Sequence, residues 1–347
     1  MADVENALPI ASRRELRQSL DQTSDPFIER IPKVELHVHI EGTLTPELKW
    51  KFAQRNGMPL EHPRTGTVFS SLAELQDSHD TMKASNGDRM DNAEETMSFF
   101  EAYYGGFLVL KTKRDYFDLA MHYFERAARM NVRYCEVFFD PQGHTRTGVT
   151  WEIMMGVFHE AQEKARKDLK VESTWIMCFL RDESPESAME HYVAALEYRH
   201  MIVGIGLDSN EDQRPPMLFE EVFARARSDG FRITAHCDVG KTYPVEHIRQ
   251  TVSDLGGTGA DRIDHGLNVV DDPALMKTKA RRAWISIGSD DPAFMEDTWM
   301  HENLLVARKF CKLTDGEILK LAKDAVDMSW ASDEVKRNIL LELEVLR

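Results

Sequence analysis

Seven short apolar runs, set between longer amphipathic stretches, constrain this chain more than any other feature of its sequence. The runs are Lys33–Ile40, Val132–Phe139, Glu172–Leu180, Ile202–Leu207, Phe231–Cys237, Arg262–His265 and Ala283–Gly288. Short apolar runs that alternate with helical stretches read as strands buried on both faces, the pattern of a parallel sheet. The stretches between them, such as Glu152–Lys167, Pro185–Tyr198 and Leu218–Ser228, carry helical spacing and good helix formers. The chain has 347 residues, and a (β/α)8 TIM-type barrel takes about 250, leaving room for additions. No repeat or linker interrupts the pattern, so residues 31–347 read as one barrel domain behind an extension over 1–30. That extension carries a short helix over Arg13–Leu20. Residues 45–130 read as a helical insertion after strand one. It includes helices over Asn92–Phe100 and Arg114–Met130 and a polar connection over Ser70–Arg89. Residues 315–347 read as two helices divided near Ser332, whose hydroxyl can cap the second.

Charge removes several function classes. Lys plus Arg is 43 and Asp plus Glu is 59, a formal net charge of −16. Phosphate backbones and anionic lipid surfaces demand clustered cations, so neither nucleic acid nor membrane is an expected partner. No run approaches a membrane span, and the N-terminus lacks a secretory apolar core. A cytoplasmic protein is expected, with the nucleus also open. The four cysteines, Cys135, Cys178, Cys237 and Cys311, form no CxxC pair. A cysteine-type zinc site is therefore excluded, and buried free thiols are expected.

Histidines gather at the ends of the runs. His37 and His39 alternate on one predicted strand, so both imidazoles share a face. His236 ends RITAHCD, His265 ends RIDHG, and Asp290 and Asp291 end WISIGSDDP. In barrels of this class the active site lies at the C-terminal strand ends. Imidazoles and a carboxylate converging there make a site for Zn²⁺ or Fe²⁺ with an open water position. His144, His159, His191, His200, His247 and His301 fall in loops or helical stretches and are expected at the surface.

The segments PKVELHVHIEGTL, YCEVFFDPQGHT, GIGLDSNE, ITAHCDVG, RIDHGLN and SDDPAF together resemble the adenosine/adenine deaminase family of metal-dependent amidohydrolases. DPQGHT and GLDSNE look more like its adenine deaminase branch, which acts on the free base. The resemblance implies one Zn²⁺ per chain, held by His37, His39, His236 and Asp290. It implies that His265 steers the attacking water, and that Asp291 and Ser209 contact the purine. The implied partner is a small-molecule purine, with a homo-oligomer left open. The implied reaction is hydrolytic deamination of a 6-aminopurine, adenine to hypoxanthine or adenosine to inosine, in purine salvage.

Two departures bear on that reading. The family's His-Ala-Gly-Glu carries its proton donor on Glu, whereas this chain reads His236-Cys237-Asp238-Val239. Valine transfers no proton, so Asp238, one residue earlier, is the expected catalytic acid. His265 and Asp290 are also close in sequence, leaving the barrel short of about one β/α unit. Two alternatives therefore stand beside the deaminase: a metal- and purine-binding pseudoenzyme or splice product, and an amidohydrolase acting on N6-substituted adenine or another aminated heterocycle.

Overall fold

The computed structural model describes residues 10–85, 96–237, 244–278 and 285–346. The first four apolar runs become β1 (Lys33–His39), β2 (Val132–Phe139), β3 (Glu172–Leu180) and β4 (Ile202–Asp208). They pair in parallel and in sequence order, and β5 (Arg232–Ile233) continues the sheet beyond β4. β6 (His236–Cys237) and β7 (Asp264–His265) form a second, two-stranded parallel ladder. The chain is thus an α/β protein of the barrel class.

The run Phe231–Cys237, expected as one strand, is split in two. Ile233 pairs with Ile205 of β4, whereas His236 pairs with Asp264 of β7. The intervening Thr234 and Ala235 change partners, which breaks the ladder between them. The run Ala283–Gly288 also differs from expectation: its first two residues lie outside the described part, and 285–289 form no strand. Among the described residues, one bridge joins this segment to β1. The Asp290 N–H donates to the His37 carbonyl and the His39 N–H to the Asp290 carbonyl, each at 3.0 Å. Gly288 permits this approach, since a Cβ there would lie 2.6 Å from the His37 oxygen. Among the described residues no ladder joins β7 to 285–290, so this segment lacks the second strand neighbour that would regularise it.

Helices fill the connections. α1 (Ile10–Asp21) and α2 (Pro26–Arg30) precede β1. The insertion after β1 holds α3 (Pro46–Arg55), α4 (Leu72–Ser85), α5 (Phe99–Phe107) and α6 (Lys113–Arg129). Most of the polar connection over Ser70–Arg89 is therefore helical, with its last four residues outside the described part. Of the helix expected over Asn92–Phe100, residues 92–95 lie outside the described part, and α5 begins at Phe99, where Ser98 and Glu101 form a reciprocal capping box. α7 (Pro141–Thr145) and α8 (Trp151–Lys164) lie between β2 and β3, and α9 (Pro185–Ala195) leads to β4. α10 (Glu220–Ser228) precedes β5, and α11 (Pro244–Ser253) joins β6 to β7. α12 (Pro273–Thr278), α13 (Met300–Cys311), α14 (Asp315–Met328) and α15 (Asp333–Glu344) complete the order. Ser332 accepts from the Val335 N–H and caps α15.

Strand faces divide the core. Val137, Phe139, Trp175, Met177 and Phe179 face outward into the main hydrophobic cluster. Trp175 stacks there on Phe158 of α8, with ring centroids 4.3 Å apart. The alternate residues Phe138, Ile176 and Cys178 form a separate inner cluster with Val203 and Trp330. Space inside is tight enough to require glycine on β4. A Cβ at Gly204 would lie 2.5 Å from the Trp330 ring, and one at Gly206 would lie 2.5 Å from Cys178 Sγ. Cys135, Cys178 and Cys237 are buried free thiols as expected, but Cys311, at the end of α13, is exposed.

Candidate metal centre and pocket

Strand parity assembles the centre. His37 and His39 project from the same face of β1, and their Nε2 atoms stand 3.3 Å apart. His236 enters from β6, its Nε2 3.3 Å from that of His39. Asp290 arrives on the closing segment, with Oδ1 3.1 Å from His37 Nε2 and 3.5 Å from His39 Nε2. His265 stands behind, Nε2 3.8 Å from Asp290 Oδ2. Ser209 and His265 at strand ends, and Asp290 on the closing segment, have positive φ (69°, 65° and 61°). This left-handed backbone is unfavourable for residues with a Cβ, and it is tolerated where surrounding structure over-determines a site.

Much of the donor set fits a tetrahedral cation. Four ligands at about 2.0–2.1 Å from one ion sit about 3.3–3.4 Å from each other. The four distances above, 3.1–3.5 Å, lie near four of the six edges of such a tetrahedron, and the described residues of the centre group into two overlapping triads, His37–His39–Asp290 and His37–His236–His265. Three imidazole nitrogens and a carboxylate are also the ligand types zinc prefers. Asp290 Oδ1 is buried without a hydrogen-bond partner, as is His39 Nδ1, which lies 3.5 Å from Asp208 Oδ2.

Electrostatics divide the centre: burial lowers His37 but Asp290 beside it raises it above the ordinary imidazole value, whereas its neighbours are held down. Burial pushes the Asp290 carboxyl up, but His37, His265 and His39 pull it below the usual carboxylate range. Burial and the neighbouring imidazole hold His39 down at about 3, so its nitrogen lone pair is available as a ligand. His236 is likewise pushed well down, by burial and then by His265.

A cavity of about 440 Å³ opens over this centre. Phe99, Phe100, Tyr103 and Tyr104 of α5 form one wall, and Asp140, Asp208, Ser209, Asp290 and Asp291 contribute polar groups. Tyr103 donates to Asp140 Oδ2 at 2.7 Å, whereas Asp140 Oδ1 and Asp291 Oδ1 are buried and unpartnered. Burial, then Asp290, Asp140 and Glu41, pushes Asp291 well above the ordinary carboxyl value. Gly42 is required beside it, because a Cβ there would meet Asp291 Oδ1 at 2.1 Å.

The structure thus brings together His37, His39, His236, His265, Asp290 and Asp291. Ser209 reaches the cavity, but its hydroxyl donates to Asp182 at 3.0 Å and also touches the Tyr104 hydroxyl. Asp238 and Val239 lie outside the described residues. Two histidines expected at the surface are buried. His144 is fully enclosed between Glu41 and Tyr116, at 2.7 Å from each, and His247 packs beside Glu211. Both were misjudged because helix and loop positions turn inward wherever they close over a strand end. The sequence reading missed Asp140 and the α5 aromatics. Asp140 lies in the noted DPQGHT segment, but the α5 residues come from an insertion whose register on the barrel only tertiary packing sets.

Similarity to known proteins is extensive. The adenosine deaminase family profile matches residues 32–285. An uncharacterised deaminase of Schizosaccharomyces pombe is 38% identical, the match covering 91% of this chain and 95% of the relative. An adenine deaminase of Rhodospirillum rubrum is 36% identical over 89% of this chain and 95% of its own length. The crystal structure of adenine deaminase from Arthrobacter aurescens superposes with a TM-score of 0.79 at 30% identity, covering 91% of this chain and 98% of that one.

Proposed function

The chain belongs to the adenosine deaminase family of aminohydrolases, with its relatives in the adenine deaminase branch, and from that premise we propose zinc-dependent hydrolytic deamination of a 6-aminopurine, adenine ahead of adenosine, in purine salvage. The single observation that carries this reading is the gathering of His37, His39, His236 and Asp290, with four donor–donor distances near a tetrahedral edge, beneath an aromatic-walled cavity. His37, His39, His236 and Asp290 would hold the zinc. Bound there, zinc supplies Lewis acidity that brings the pKa of a water near 7.

The remaining work falls to the chain's own groups. His265, beside Asp290, would steer the attacking water to the carbon bearing the amino group. Asp291 faces the cavity and would hydrogen-bond a purine ring nitrogen, and Ser209 would edge the base. A proton must also reach the ring nitrogen next to that carbon before ammonia leaves. Asp238 is assigned this task because Val239 occupies the family's Glu position. General acid catalysis is worth roughly 10²–10⁴ in rate. Asp238→Asn is therefore expected to lower kcat about 10²-fold or more with metal content unchanged, and Val239→Glu to raise it. Full activity in Asp238→Asn would move the role to another acid.

Substrate preference is tested by comparing kcat/KM for the two substrates, from ammonia release and loss of the adenine absorbance band. Adenine is expected to be the better substrate by at least about tenfold, a difference of only about 1.4 kcal/mol in transition-state binding. A ratio favouring adenosine would overturn the free-base assignment. Purified wild type that holds zinc yet releases no ammonia from any aminopurine would favour the pseudoenzyme reading.

A further inference from the structure

We propose that Arg181 is a positioning residue for the metal centre, holding the His236 carbonyl where the sheet supplies no partner. The inference rests on the metal reading above. The β4–β5 ladder ends at Ile205–Ile233, and the last bond beyond it runs from the Thr234 N–H to the Ile205 carbonyl at 3.0 Å. β4 stops at Asp208, and Ser209 then turns away with φ of 69°. On its other side the β6 segment is well fixed. The Ala235 carbonyl accepts from Asp264 N–H at 3.0 Å and the Cys237 carbonyl from Gly266 N–H at 3.1 Å. The alternate carbonyl, that of the ligand residue His236, faces the opposite side, where β4 has already ended.

Arg181 takes the place of the missing strand. It follows β3 directly, and its own N–H donates to the Asp208 carbonyl at 3.1 Å. Its guanidinium is fully buried. Nη2 donates to the His236 carbonyl at 2.6 Å, and Nη1 pairs with Glu211 Oε2 at 3.0 Å. Arg214 Nε donates to the Arg181 carbonyl at 2.6 Å, anchoring the backbone from which the side chain reaches. A buried ion pair is weak evidence for stability, because desolvation offsets its attraction. What this pair does is aim a rigid two-pronged donor at one carbonyl. A lysine could meet either Glu211 or the carbonyl, but its single ammonium does not reproduce the fork. Ligand positions tolerate only about 0.2 Å of error, so a loosened His236 backbone weakens the metal directly.

The test uses the full chain as wild type, as Arg181→Lys, and as the double variant Arg181→Met/Glu211→Gln, which removes both buried charges together. Three quantities are measured: zinc affinity by competition with a chromophoric chelator, the visible spectrum of the Co²⁺-loaded protein, and thermal unfolding of the metal-free protein. The expected result is metal-free unfolding near that of wild type in at least one variant, with zinc bound about 10–100-fold more weakly and a shifted cobalt spectrum. Losses of that size are typical when a group supporting a ligand is removed. A variant that folds like wild type and keeps both its zinc affinity and its cobalt spectrum overturns the proposal. So does loss of metal-free stability in both variants with an unchanged cobalt spectrum, which assigns Arg181 to the fold alone. A wild type that binds neither zinc nor cobalt sinks the metal reading itself, and is recognised without any variant.

Discussion

Replacing His37 with alanine is expected to take the purified protein from about one equivalent of zinc per chain to almost none, with deaminase activity below detection. His37 Nε2 is the donor nearest Asp290 Oδ1 and also touches His39 Nε2, so its loss removes two of the four short contacts of the centre. Removing a group that merely supports a ligand costs about 10–100-fold in metal affinity. Removing a ligand itself should cost at least that much. The fold should survive, because the imidazole lies in the mouth over Phe138, at 5.0 Å between ring centroids, and supplies no backbone bond. Elemental analysis after dialysis, with circular dichroism as the folding control, decides the matter. A full equivalent of zinc in the variant, or a metal-free wild type that rejects added zinc, would refute the ligand assignment.

Trp330→Ala should destabilise the whole domain by about 2–4 kcal/mol, although the residue is far from the chemistry in sequence and sits between the last two helices. Fully buried Trp→Ala changes cost roughly 3–5 kcal/mol, and Trp330 is only partly buried, so the lower part of that range applies. Its ring packs into the inner cluster of Phe138, Ile176 and Cys178, against the Cβ-free face of Gly204. Arg262 lies over it at 4.3 Å from the ring centroid, and the Trp330 N–H donates to Glu136. In a complete barrel the strands' own side chains fill the bore in layers. Here a tail residue contributes part of that filling. Urea or thermal unfolding of the variant should show the loss with metal-binding residues intact. Stability within about 0.5 kcal/mol of wild type would show that the bore collapses readily without the ring.

The strands that carry the centre were legible because burial on both faces writes itself as a continuous apolar run. β2 and β3 coincide with their predicted bounds, and β1 and β4 differ by one residue at their ends. The six residues at the centre were legible for a related reason. Strand parity fixes His37 and His39 on one face, and His236, His265, Asp290 and Asp291 punctuate the ends of their runs.

What lay beyond the sequence was every contact made between distant segments. The aromatic wall from α5, the inward turn of His144 onto Glu41, the engagement of Ser209 by Asp182 and Tyr104, and the reach of Arg181 to His236 join elements whose mutual register no local pattern encodes. The same holds for the splitting of Phe231–Cys237 and the irregularity of 285–289. An apolar run states that a segment can pair, whereas the presence of a neighbour on each side decides whether it does. The sequence by itself determined which residues would stand at the strand ends and what chemistry they could perform. Only the tertiary structure decided which of them meet, at what distance, and what holds them there, because those are properties of packing between segments far apart along the chain.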